Sequence, residues 1–257
     1  MTFTDDLLLV GAGAIAASVN AAAGGGTLLS FPALLAVGLD PLAANATSTV
    51  GLLPGSLGSV FGLRKELRDH PADSLAVAVP SLIGGVIGAV LLLVLGGKAF
   101  AAAVPALLVG ASGLLLVQPL IARLVKRDGP PGDQPPSVIF AATLVISIYG
   151  GYFGAGVGIL FLGTMGLLLA RDLRRVNTLK VFNALLTNGI GAATFVLAEV
   201  VSRPHALVPR AAIPLAIGSV FGGYFGVTVV RKLPAQALRG FASLVGLGIA
   251  GYFILRK

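Results

Sequence analysis

Gly24-Gly25-Gly26-Thr27-Leu28-Leu29-Ser30-Phe31-Pro32-Ala33-Leu34 is the stretch that decides how this chain is organised. It opens an apolar segment of about a dozen residues, 27–38, with longer apolar segments on either side at 6–22 and 42–63. A helix that crosses a bilayer needs about 20 apolar residues. The segment behind the glycines is therefore expected to be a half-span or a re-entrant piece between two full spans. Glycine lets the backbone leave the helix there and presents free amide N–H groups.

Outward from this point the pattern repeats. Apolar segments follow at 75–96 and 100–122, then a polar, proline-rich stretch from Arg123 to Pro136 that cannot form a membrane helix. Beyond it come 138–153, 157–170, 177–200, 211–230 and 237–255. The expected fold is an all-α polytopic membrane protein of about ten segments. Residues 1–122 form a first set of five, 123–137 a cytoplasmic linker and 138–257 a second set of five. Segment seven, like segment two, is short.

Composition agrees. Only 11% of the 257 residues are charged and 56% are hydrophobic, against about 25% charged in a soluble domain. So few charges cannot clothe a water-soluble globule, which excludes a soluble enzyme. With no cysteine there is no disulfide, thiolate metal site or cysteine nucleophile, and His70 and His205 both fall in polar connections. No metal or cofactor is expected. The Met1–Asp6 start has no basic region ahead of its apolar run, so no removable signal peptide is expected.

The net charge of +8 would suit nucleic acid in a soluble protein, but here it sorts by connection. Arg64, Lys65, Arg68, Arg123, Lys126, Arg127, Arg171, Arg174, Arg175, Arg231, Lys232 and Arg239 fall on one side. Lys98, Arg203, Arg210, Arg256 and Lys257 fall on the other. The richer side is expected to be cytoplasmic, placing both termini outside and lipid, not nucleic acid, around the chain. Only Lys180 is left inside a span.

The two sets of five correspond. A shift of 132 residues brings Gly24 and Gly26 onto Gly156 and Gly158, Asp40 onto Asp172 and Asn45 onto Asn177. A shift of 134 brings Pro80, Gly84 and Gly88 onto Pro214, Gly218 and Gly222. Five segments per half make the second half enter from the opposite face, the inverted-repeat layout of many secondary transporters. Their sites lie near the midplane where short, glycine-interrupted segments meet, which here are segments two and seven.

Wound as a helix, segment eight places Asn177, Lys180, Ala184, Thr187, Asn188 and Gly191 on one stripe, and segment three places Asn45, Ser48, Thr49, Ser56 and Ser59 on another. Lys180 carries the most weight. A cation inside a span is costly and by default faces a cavity or partner, and no acid shares its face. The bland alternative is that it snorkels to the headgroups. An unpaired cation in a polar cavity suits an anion. Gly24, Gly25 and Gly26, with Gly156 and Gly158, would let two helix N-termini meet the same anion, where the bland alternative is close packing of small residues. No Walker lysine follows either cluster, so nucleotide binding is disfavoured.

Other residues read as structural. Gly84/Gly88 and Gly218/Gly222 are expected to pack helices within the bundle, with a homodimer contact as the lesser use. Asp40 and Asp172 are expected to cap helices, Glu199 and Arg203 to pair at the interface, and Phe31, Phe61, Phe161 and Phe182 to face core or lipid.

The run Gly24–Leu34 followed by Asn45-Ala46-Thr47-Ser48, with its counterpart Gly151–Gly158 and Asn177-Thr178-Leu179-Lys180, resembles the sulfite exporter TauE/SafE family over nearly the whole chain. The resemblance implies transport of sulfite, sulfoacetate or related organosulfonates across a bacterial plasma membrane, with an ion or proton gradient as driving force and no nucleotide. It supplies no invariant residue. An anion channel is the alternative. An intramembrane enzyme is disfavoured, since no catalytic aspartate pair or serine–histidine dyad lies within the spans and only a serine–lysine pairing is conceivable.

Overall fold

The computed structural model describes residues 1–127, 134–169, 171–201, 206–230 and 235–255, and among these it contains helices and no strand. In chain order they are α1 (Phe3–Ala23), α2 (Thr27–Ala36), α3 (Pro41–Asp69), α4 (Pro71–Arg127), α5 (Pro136–Tyr152), α6 (Val157–Leu168), α7 (Leu173–Val201), α8 (Pro209–Val230) and α9 (Ala235–Leu255). α4 is not one rod. Gly96 sits at φ 77°, ψ 173°, a backbone region open essentially to glycine, and divides it into arms 71–95 and 97–127. Each apolar segment read from the sequence is thus helical.

Short-range chemistry sets the ends. The Thr2 hydroxyl accepts from the Asp5 N–H while the Asp5 carboxylate accepts from the Thr2 N–H, a reciprocal cap on α1. Asp40 accepts from the N–H groups of Leu42 and Ala43 at 3.0 and 3.1 Å, with Pro41 in the first helical position. Asp172 accepts from the Arg175 N–H at 2.8 Å. Both aspartates cap, as their positions suggested.

Two boundaries differ from expectation. α3 outruns its apolar stretch, because Arg64–Arg68 are good helix formers and nothing stops them until His70, which precedes Pro71 and leaves the helix at φ −134°, ψ 67°. α4 continues to Arg127, so the expected linker begins inside a helix, while residues 128–133 lie outside those described. So do Arg203 and the basic residues Arg231, Lys232, Arg256 and Lys257. Glu199, expected to pair with Arg203, accepts from the Leu207 N–H at 2.9 Å.

Helices Pro71–Ile121 and Arg174–Val201 are long and apolar enough to cross a membrane, whereas Thr27–Ala36 and Val157–Leu168 are short apolar helices. At 1.5 Å per residue the ten residues of α2 reach about 15 Å, half of the roughly 30 Å hydrocarbon core. The outer face of α4 exposes Leu75, Val79, Val86, Val90 and Val94, a continuous apolar surface that needs lipid rather than water.

Glycine permits the closest helix approaches. A methyl group on Gly84 or Gly88 would run into the carbonyl oxygens of Leu144 and Ile148 on α5. On Gly218 or Gly222 it would run into those of Val10 and Ala14 on α1. Each contact recurs 134 residues along, since Val10 matches Leu144 and Ala14 matches Ile148. The glycines pack the bundle, as expected. Phe31 and Phe161 are fully buried, while Phe61 is exposed beneath the Arg64 guanidinium. Phe31 meets Phe100 and Phe153 edge-on at 6.4 and 5.9 Å where α2, the second arm of α4 and the end of α5 converge.

At the α3–α4 turn a polar cluster ties three helices. Arg175 is buried and donates to the carbonyls of Glu66 and His70, both at 2.9 Å, and to Asp73 at 3.3 Å. Arg171 completes the Asp73 pair at 3.1 Å. The guanidinium satisfies the Glu66 carbonyl, which the end of α3 leaves without a helical partner, and joins the Ser74 N–H on the His70 carbonyl.

Candidate functional site

Two helix breaks build the site. α1 ends at Gly24, which adopts the left-handed conformation at φ 79° and returns its N–H to Asn20 O at 2.9 Å. α5 ends at Phe153, and the chain turns through Gly154 (φ 80°) and Gly156 (φ 76°) before α6 begins. These conformations are open to glycine and strained for other residues. The breaks meet backbone to backbone. A Cβ on Gly24 would lie 3.0 Å from the Gly158 Cα.

Beside that contact lies a narrow cleft with about 20 Å³ of free volume, room for one water-sized group. Its lining includes Gly24 and Gly158, Asn20 from α1, Ser56 and Ser59 from α3, and Lys180 from α7. The Lys180 stem runs along Gly158, its Cδ 3.3 Å from where a Cβ would stand, and the residue is only 3% exposed. Among the described residues no acidic group lines the cleft. Among the described residues the Lys180 ammonium makes no hydrogen bond or ion pair.

Of the residues read from the sequence, Lys180, Ala184, Ser56, Ser59, Gly24 and Gly158 are brought together here. Ser56 Oγ donates to Leu52 O at 3.2 Å and Ser59 Oγ to Gly55 O at 3.1 Å, so both spend their protons on α3 itself. The rest lie elsewhere. Asn45 donates to Tyr152 O at 3.1 Å, Ser48 pairs with Ser30 at 2.6 Å, and Thr49 donates to Asn45 O at 3.0 Å. Thr187 is buried against Gly150, and Asn188 stands beside Gly154. Asn177 is half-buried at the start of α7, outside the cleft lining. Gly25 packs on Leu115, Gly26 on Ala16 and Asn20, and Gly156 on Ala111.

A family model described as "Sulfite exporter TauE/SafE" matches residues 9–253, nearly the whole chain. The chain belongs to the TauE/SafE family. Two curated relatives are similar: a "Probable membrane transporter protein ORF9" of Sinorhizobium sp. and a "Probable membrane transporter protein" of Haemophilus influenzae. Each is 29% identical over 150 residues. The match covers 58% and 57% of this chain, and 56% of each relative, so it spans little more than half their length. No solved structure matches.

Membership makes this TauE/SafE chain a membrane-embedded protein of a transporter family, in line with the resemblance and with its apolar outer surface. The structure also brings in residues that the helical stripes did not reveal. Asn20 entered the cleft from the last turns of α1, and its only sequence signal was its place just ahead of Gly24. Asn183 lies off the Lys180 stripe and is fully buried, donating to Ser81 Oγ at 2.7 Å and Ser147 Oγ at 2.8 Å. The repeat offsets match these three residues to Gly51, Leu215 and Gly13. There Leu215 packs directly on Gly51. Leucine stands at one of these matched positions where a polar trio stands at the other.

Proposed function

We propose that this TauE/SafE chain is a secondary transporter of a small sulfur-containing oxyanion, such as sulfite, sulfoacetate or another organosulfonate, driven by an ion or proton gradient. The observation that carries the proposal is Lys180, a buried ammonium without counter-charge in a cleft where two broken helices meet. A cation in that position is costly unless an anion completes it. Lys180 would supply the charge, the Asn20 amide a hydrogen bond, and the backbone at Gly24 and Gly158 the close approach. With no carboxylate in the lining, the cleft would reject cations.

The two halves would be inverted repeats whose relative rocking opens the cleft to alternate sides. Three matched features support this. The Gly84/Gly88 and Gly218/Gly222 contacts recur at a constant offset, Asp40 and Asp172 cap corresponding helices, and both short helices follow left-handed glycines. The connections richest in Lys and Arg would face the cytoplasm, which puts the Arg171–Arg175–Asp73 cluster on that side.

The test is uptake of labelled sulfite and of a panel of sulfonates, sulfate and carboxylates into proteoliposomes. Saturable, exchange-stimulated uptake of the sulfur anions, lost in Lys180→Ala, is the expected result. Uptake of every anion unchanged by the substitution would overturn the proposed site.

A further inference from the structure

We propose that the break between α5 and α6 binds a sodium ion, held by the Gly150 carbonyl, Asn188 Oδ1 and Thr27 Oγ1, as the coupling ion of the transport proposed above. Its purpose rests on that function, while its residues are different ones. Gly154, at φ 80°, leaves open the space a side chain would fill. A Cβ there would stand 3.2 Å from Gly150 O and 3.8 Å from both Asn188 Oδ1 and Thr27 Oγ1. Three oxygens from three separate helices therefore surround one opening.

None of the three is spoken for. Gly150 lies in the last turn of α5, and the N–H that would reach its carbonyl, that of Gly154, turns to Tyr149 O at 3.3 Å. Among the described residues neither the Asn188 side chain nor the Thr27 hydroxyl has a hydrogen-bond partner. Asn188 and Thr27 are half-buried, and two oxygens nearby are fully buried without a donor, Asn45 Oδ1 and Thr187 Oγ1. Asn45 is tied to this break through its bond to Tyr152 O, and Thr187 packs its methyl group on Gly150.

Buried polar groups normally find partners, so a local surplus of acceptors asks for a cation. The C-terminus of α5 brings a partial negative charge to the opening, opposed by the positive N-terminal end of α2 at Thr27. Carbonyls at unwound helix ends are used in this way for sodium in transporters with broken helices. The chemistry selects a small monovalent ion. None of these groups is a carboxylate or imidazole, so a proton has no base to ride on. A divalent ion would lack the anionic ligands it normally takes.

The same break then serves both ions. The cation sits at the end of α5, and four residues beyond Gly154, Gly158 at the start of α6 borders the anion cleft with Lys180 of α7. Opposite charges bound side by side favour each other, and that coupling is reciprocal.

The full chain, purified and reconstituted, tests this with sodium, potassium and choline salts and with methanesulfonate, which carries no titratable proton. Sodium alone should raise the unfolding temperature without anion and lower the half-saturating methanesulfonate concentration by about tenfold. Thr27→Val and Asn188→Ala should raise the half-saturating sodium concentration by about tenfold or more. Lys180→Met should keep the sodium-dependent thermal shift and lose the anion response. Equal behaviour of the wild type in all three salts overturns the site, as does wild-type sodium dependence in Thr27→Val. That variant exchanges one hydroxyl for a methyl group and decides the matter if Asn188→Ala does not fold. Sodium stabilisation without binding of any sulfur anion would support the cation site and overturn the anion function.

Discussion

Lys180→Met separates a functional cation from a structural one, because the two roles predict opposite signs. Methionine keeps most of the stem packed along Gly158 and removes only the charged end. With 3% of the residue exposed and no acidic neighbour in the cleft, the ammonium is a net cost to the protein without anion. That cost is at least about 2.5 kcal/mol for a lysine at membrane depth. The substitution should therefore stabilise the anion-free protein. Binding should move the other way. A charge pair at about 4 Å and an effective dielectric near 20 is worth about 4 kcal/mol, and part is lost to desolvation of the anion. A net loss of about 3 kcal/mol corresponds to roughly a hundredfold weaker binding. Thermal unfolding in detergent, with and without methanesulfonate, reads both effects. A variant that unfolds at lower temperature than the wild type and binds the anion as well would refute the reasoning, and Lys180 would be a packing residue.

Four further outcomes follow from the packing. Asp73→Asn leaves the buried Arg175 guanidinium without its carboxylate and should cost about 3 kcal/mol in unfolding free energy. Glu66→Gln, whose partner Arg174 is 83% exposed, should cost under about 1 kcal/mol in the same assay. Gly218→Leu should abolish the α1–α8 contact at Val10, and Gly84→Leu its α4–α5 counterpart at Leu144, each read as loss of a monodisperse peak in size-exclusion chromatography. Asn183→Ala strands Ser81 and Ser147 in the core and should cost about 2 kcal/mol in thermal unfolding.

Much of the fold was legible because its punctuation is local. Gly24, Gly154 and Gly156 mark breaks that side chains resist, Asp40 and Asp172 announce helix starts, and the His70-Pro71 step stops α3. The extension of α3 past its apolar stretch was hidden, since hydropathy ends at the membrane surface while helix propensity does not. The site was legible in part. A stripe on a helix tells which residues share a face, but not which neighbour that face meets. Lys180 and Ser56 reach the cleft, whereas Asn45 reaches Tyr152, which is 107 residues away in sequence. Ser48 is satisfied by Ser30 on the short helix beside it. Asn183 escaped notice because a single buried asparagine off the stripe carries no pattern, and its two serine partners lie on other helices.

The central claim is that an oxyanion binds between the two helix breaks against Lys180. An experimental structure with 2-bromoethanesulfonate locates that anion directly through the anomalous signal of bromine. The account predicts one bromine peak in the cleft bordered by Gly24, Gly158 and Lys180, absent from Lys180→Met. A peak elsewhere in the bundle, or one that persists in the variant, would contradict it.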